Sequence, residues 1–175
     1  MIKDFDLQKL IITGPECSGK TSLAKAISKK YDAPWVVEYA RQFLNEKAGS
    51  YVYEDLLSIA HGQLEQEQRF EQYAPKFLIC DTSMLVMKVW SEYKYGKADP
   101  WMIDRLSEMV DCLWLLCAPD IPWEKDPFRE SEHEREALFD IYKKELEQMS
   151  FNYHVMSGSL EKRIAKIGHL LSGFF

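Results

Sequence analysis

Eight consecutive residues, Gly14-Pro15-Glu16-Cys17-Ser18-Gly19-Lys20-Thr21, carry the spacing of a phosphate-binding loop: a glycine, four variable positions, then glycine, lysine and a hydroxyl residue. Gly14 and Gly19 admit backbone angles and a close approach that a Cβ would block, so successive N–H groups can converge on an anion. Lys20 brings a point charge to β- and γ-phosphate oxygens, and the helix opening at that point adds its positive end. The Thr21 hydroxyl is placed to ligate Mg²⁺, a cation that takes hard oxygen ligands. With Ser22 in the first helical turn, the stretch from Gly14 to Ser22 is the expected nucleotide-contacting set, and the expected ligands are ATP and Mg²⁺.

Further along the chain stand groups that phosphate chemistry would use. Asp81 ends an apolar run, as a carboxylate that holds Mg²⁺ with Thr21 would; the other reading is a residue that caps the helix starting at Ser83. Glu38 follows a second apolar run and can take the proton of a substrate hydroxyl, or can simply pair with Arg41 one turn on. Arg129 and Arg135 lie in a charge-rich stretch, about 121–135, that reads as a mobile lid able to close over a transferring phosphoryl group and exclude water. An exposed loop of that composition would hold arginines in any case.

These groups must be carried by elements that bring them together. Short apolar runs at Leu10–Thr13, Trp35–Tyr39, Phe77–Cys80, Cys112–Cys117 and Tyr153–Met156 predict five strands. Between them, helical spacing is expected over Lys20–Lys30, Ala40–Leu44, Tyr53–Tyr73, Ser83–Tyr93, Pro100–Met109, a segment around Leu138–Leu146, and Leu160–Leu171. The run Glu65–Glu71 reads as a solvated helix face. Alternating strands and helices predict an α/β fold of the P-loop NTPase type. It has three α/β/α layers around a mostly parallel five-stranded sheet, and a single domain spanning residues 1–175. Such sheets bind ligands beyond the carboxyl ends of their strands, where the phosphate loop, Glu38, Asp81, Asp120 and Ser157 all fall.

The totals narrow the classes. The 175 residues are 46% hydrophobic and carry a net charge of −6, with no basic stripe to follow a nucleic-acid backbone. The four cysteines show no CxxC pair and the four histidines no metal spacing, which suits thiols in a reducing cytosol. The residues from Met1 to Lys9 are mixed and charged, unlike an export signal, and the apolar runs are too short to span a membrane. A small-molecule partner is expected, with neither nucleic acid nor membrane. Among the aromatics outside the strands, Trp90, Tyr93, Tyr95, Trp101 and Trp123, most are expected to pack, and one or two near the strand ends to stack on a base or cationic ring.

Taken together, the phosphate loop, Val37-Glu38-Tyr39-Ala40-Arg41, Cys80-Asp81-Thr82, and Asp120-Ile121-Pro122-Trp123 followed by Asp126, Arg129 and Arg135 resemble the ribosylnicotinamide kinase domains of the NadR-like P-loop ATPases. That resemblance runs from Leu10 into the last helix. It implies ATP-dependent phosphorylation of the 5′-hydroxyl of nicotinamide riboside, with Lys20 and Thr21 serving ATP and Mg²⁺ and Asp81 the metal or the riboside. Glu38, Tyr39 and Arg41 would lie on the substrate side, and Arg129 and Arg135 in the lid. No His-x-Gly-His phosphate site is present, so adenylyl transfer is not expected of this chain. A kinase for another nucleoside or nucleotide, and a non-catalytic ATP switch with a protein partner, remain the alternatives.

Overall fold

The computed structural model describes residues 8–73 and 76–172; the charged segment 1–7, read above as lacking an export signal, lies outside the described residues. The strands are β1 (Gln8–Thr13), β2 (Trp35–Val36), β3 (Phe77–Asp81), β4 (Leu113–Cys117) and β5 (Tyr153–Met156). They form one sheet in the order β2-β3-β1-β4-β5, and each adjacent pair is parallel. The helices are α1 (Lys20–Tyr31), α2 (Tyr39–Glu46), α3 (Tyr53–Glu71), α4 (Met84–Tyr95), α5 (Pro100–Ser107), α6 (Arg135–Gln148) and α7 (Leu160–Leu171).

Strand periodicity sorts the core into two. Leu10, Ile12, Ile79, Leu115 and Cys117 face Leu23 and Ile27 of α1 and Ile167 and Leu171 of α7. Ile11, Leu78, Cys80, Trp114 and Leu116 face the opposite layer, packed by α2 to α6. Strands buried on both faces need continuous apolar runs, which is why β3 and β4 are legible in the sequence and buried throughout. Within β4, the Trp114 ring stacks on Phe151 at 5.0 Å between centroids. Helix ends follow local chemistry: Ser83 and Ser159 accept backbone amides at the starts of α4 and α7, and Asp99 caps α5 with Pro100 in its first turn.

Two expectations are corrected. The strand expected over Trp35–Tyr39 is only Trp35–Val36, because β2 is the sheet edge and pairs with β3 at those two positions alone. The chain then turns, and α2 opens at Tyr39, whose amide donates to Gln63 Oε1 of α3 at 3.0 Å. The run Glu65–Glu71 is not uniformly wet: Glu67 is buried and takes Lys9 of β1 at 3.2 Å, with Glu71 on the same ammonium. A lysine at the start of the central strand requires that carboxylate beneath it.

Candidate functional site

β1 ends at Thr13 and the chain turns through Gly14 (φ 130°) into the loop, returning through Gly19 (φ 82°) to α1. A Cβ on Gly14 would stand 2.7 Å from the carbonyl oxygen of Cys117, so the loop is seated against the exit of β4 only because that residue is glycine. No side chain caps α1, which leaves the amides of its first turn for an anion. Lys20 Nζ lies on the loop's own carbonyls, 3.0 Å from Gly14 O and 2.7 Å from Pro15 O. Ser18 is buried and its hydroxyl turns inward to Pro15 O.

The Thr21 hydroxyl donates to Asp81 Oδ2 at 2.6 Å, joining the start of α1 to the end of β3. The other carboxylate oxygen, Asp81 Oδ1, is buried and has no hydrogen-bonding partner among the described residues. Burial raises the Asp81 pKa, opposed by the Thr21 hydrogen bond and by Lys20. The cap of α4 is made by Ser83, so Asp81 is not occupied there. A buried carboxylate oxygen without a partner next to a threonine hydroxyl is a pair of hard oxygen donors, and it fits Mg²⁺. The residue after it, Thr82, has φ 71°, a left-handed backbone uncommon for a β-branched side chain.

Glu38 stands at the turn between β2 and α2. Burial pushes its carboxyl up, Lys20 pulls it down, Asp81 pushes it up again and Arg41 pulls it down. Its pairing with Arg41 is present at 3.4 Å, and Arg41 also donates to Asp126 Oδ2 at 2.9 Å. Tyr39, expected on the substrate side, turns elsewhere: its ring fills the space over Gly62 of α3 and stands 6.4 Å from the Phe43 ring.

The segment 121–134 is not the free surface stretch expected from its charge; it lies down across the phosphate loop. Glu16 Oε2 accepts the amides of Glu130 and Ser131 at 2.9 and 3.0 Å. The Cys17 thiol donates to Pro122 O and accepts from the Glu124 amide and Arg129 Nη1, and the Cys17 carbonyl takes Arg135 Nη1 at 3.2 Å. The Arg129 and Arg135 guanidiniums stand 5.9 and 5.6 Å from the Trp123 ring centroid. Arg135 is the first residue of α6 rather than part of the irregular stretch. At the far end, Lys94 of α4 pairs with Glu130 and donates to the Tyr51 hydroxyl, which also accepts from Trp90 Nε1.

These elements enclose a cavity of about 480 Å³ that runs from the loop residues Gly14–Ser22 into a chamber walled by Leu44, Val86, Val89, Trp90, Tyr93 and Leu138. Glu38, Arg41 and Arg129 line it, and Asp81 and Thr21 meet at its edge. Of the aromatics, Trp90 and Tyr93 line the cavity, whereas Trp101 stacks on His61 and Tyr95 packs on Tyr53.

One residue of this region had no place in the sequence argument. Arg163 of α7 is only 3% exposed; it donates to Ser18 O at 2.6 Å, Gly158 O at 3.1 Å and Ala118 O at 3.2 Å, and pairs with Asp120. It thereby fastens the phosphate loop to the exits of β4 and β5. A signal was available: Arg163, Ile167 and Leu171 form the buried row of α7, so a charge stands on its apolar face.

Comparison with known proteins gives a consistent picture. The chain is 23% identical over 177 residues to the trifunctional NAD biosynthesis/regulator protein NadR of Salmonella typhimurium, covering 97% of this chain and 43% of that protein. It therefore spans less than half the length of the curated relative. Among solved structures, NadR in complex with NAD and AMP-PNP superposes with a TM-score of 0.75 at 15% identity, and NadR in complex with NR with 0.71 at 16%. Both matches cover 94% of this chain and 49% of that one. Deoxyadenosine kinase from M. mycoides gives 0.65 at 15% identity, covering 95% of this chain and all of that one. The fold is therefore that of the P-loop kinases. The profile of the AAA domain family matches residues 9–163, and the chain belongs to that family.

Proposed function

We propose that the chain is an ATP- and Mg²⁺-dependent kinase that phosphorylates the 5′-hydroxyl of nicotinamide riboside, giving nicotinamide mononucleotide. The observation that carries this reading is the chemistry of the chamber joined to the phosphate loop. Its walls are apolar and aromatic, and Glu16, Glu38, Glu124, Glu130 and Glu134 line it; of its cations, Arg41 and Lys94 are paired with carboxylates, while Lys20 and Arg129 lie on the phosphate loop and its strap. An acceptor bearing its own phosphate would meet carboxylates there; a neutral or cationic nucleoside meets aromatic faces and negative charge, which suit a pyridinium ring. The likeness to NadR, solved with NR bound, supports the same acceptor.

In this mechanism Lys20 leaves the carbonyls of Gly14 and Pro15 for phosphate oxygens, and the uncapped amides of α1 bind the same anion. Thr21 and Asp81 would hold Mg²⁺, which would neutralise phosphate charge. Glu38 orients the attacking hydroxyl and takes its proton as that oxygen bonds to the γ-phosphorus and ADP departs with the bridging oxygen. Arg129 and Arg135, poised over the loop, offset the charge that spreads over the transferring group, and the strap 121–134 excludes water.

The test is ADP release with Mg-ATP, with and without nicotinamide riboside, and with a panel of other nucleosides and monophosphates. Stimulation by the riboside, with a product heavier by one phosphate, is the expected result. The fold shared with deoxyadenosine kinase favours another nucleoside as second reading, and stimulation by that nucleoside alone would select it. Silence across the panel would leave a nucleotide-binding switch.

A further inference from the structure

Tyr142 of α6 is 96% buried by its neighbours, since only 4% of its surface is exposed, yet it lines the cavity beside the phosphate loop. Its ring belongs to the larger core cluster with Leu138 and Leu146. Among the described residues no hydrogen bond reaches its hydroxyl, although the carboxylates of Glu16 and Glu38 are close enough to act on it electrostatically. The hydroxyl is not one of the buried polar atoms left without a partner, so the small part of this side chain that stays open includes its oxygen, on the cavity side. A tyrosine hydroxyl that is satisfied by no part of the protein and opens into a cavity is aimed at something that enters it.

We propose that Tyr142 is a specificity-determining residue: its hydroxyl donates a hydrogen bond to a sugar hydroxyl of the acceptor other than the one that is phosphorylated. This rests on the kinase reading. Glu38 serves the reacting hydroxyl as a hydrogen-bond acceptor, and a riboside brings two further hydroxyls on its ring carbons. Flanked by two carboxylates and buried, the phenol is held in its protonated form, so it remains a donor across the physiological range. The recognised class is then an acceptor with a vicinal diol, and a deoxyriboside lacking the contacted hydroxyl leaves Tyr142 unpaired. Sites built to bind a substrate hydroxyl reject analogues that lack it more strongly than apolar pockets reject an extra group.

Tyr142→Phe removes the hydroxyl and keeps the ring that fills the core. The expected result with the riboside is an acceptor KM raised about tenfold or more, the scale of one lost hydrogen bond to a buried donor. The KM for ATP and the melting temperature should stay as in the wild type. With the 2′-deoxy or the 3′-deoxy riboside, one of the two, wild type and variant should become equal. A variant with unchanged acceptor KM, or one penalised equally on riboside and both deoxyribosides, overturns the assignment. So does a wild type that does not discriminate against either deoxyriboside, a measurement that needs no variant. Wild-type protein that phosphorylates no riboside at all fails the kinase reading itself and removes this proposal with it, a result distinct from the others.

Discussion

Arg163→Met tests whether the phosphate loop is held from outside its own sequence. The substitution keeps a long apolar stem and deletes a guanidinium that serves Ser18 O, Gly158 O and Ala118 O and pairs with Asp120. Asp120 is 36% exposed, so that ion pair adds no more than about 1 kcal/mol once solvent screening is counted. The three carbonyls matter more: hydrogen bonds from a charged donor are worth roughly 1.5 kcal/mol or more each, and acceptors left dry lose that and their hydration. Allowing for water reaching the more open Gly158 and Ala118 carbonyls, the loss is about 3 to 4 kcal/mol, within the range seen when one side of a buried polar network is removed. For a chain of this size each kcal/mol moves Tm by about 2 to 4 °C, so scanning calorimetry should show a fall on the order of 10 °C. Arg163→Lys keeps the charge without the fork and should recover less than half of it. ATP should bind more weakly to both variants, because the Ser18 carbonyl is part of the loop. A methionine variant that melts within about 2 °C of wild type would refute the reasoning, since it would mean the carbonyls find other partners.

Three further outcomes follow from the charges around the loop. Asp81→Asn should abolish the Mg²⁺-dependent reaction while raising Tm by about 2 to 4 °C, because the amide still accepts from Thr21 and no longer buries a charge; a lower Tm in thermal melts would count against the buried carboxylate as a cost. The Glu38 pKa lies above the 4.5 of an ordinary glutamate, so protonation favours the folded state: that contribution is complete below 4.5 and is lost as pH rises through the folded value. Glu38→Gln should therefore gain in Tm over wild type more at pH 8 than at pH 4, and the acid limb of wild-type kcat/KM should centre above pH 4.5; a Tm difference that stays constant with pH would remove the shift. Glu16→Ala deletes the acceptor of two strap amides, each worth about 1 kcal/mol at this partly exposed position, so trypsin cleavage after Arg129 should speed up by roughly 30-fold. Equal cleavage rates would show that the contacts of Asp126, Cys17, Lys94 and Arg135 hold the strap down without Glu16.

What the sequence made legible was what depends on runs and spacing. The phosphate loop is a contiguous motif; β3 and β4 are unbroken apolar runs because neighbours cover both of their faces. The second strand was overextended because Val37 and Tyr39 look like strand residues, and only the sheet edge, where β3 is the one partner of β2 among the described residues, shows why pairing stops at Val36. Side-chain duties within the loop were hidden for another reason. Glu16 and Cys17 were expected to matter through backbone position, whereas their side chains seat a segment more than a hundred residues away. Apart from Asp120, the partners of Arg163 are carbonyls, which every residue carries, so no composition can disclose them. Tyr142 took its place in the helical spacing of α6, and nothing in that spacing distinguishes a ring wholly in the core from one whose hydroxyl reaches a cavity.

The sheet order assigns the two halves of the cavity to strands of very different restraint. The phosphate loop leaves β1, which is paired along its length with β3 on one side and with β4 on the other. Glu38 and Arg41 leave β2, an edge strand held at two positions. Local opening is easiest where pairing is sparse, so the turn that carries Glu38 and Arg41 can be remodelled without disturbing the phosphate loop. For an evolving chain that separation means substitutions around Glu38 and Arg41 fall where the fold tolerates them. Changes there can accumulate while the phosphate loop is inherited intact.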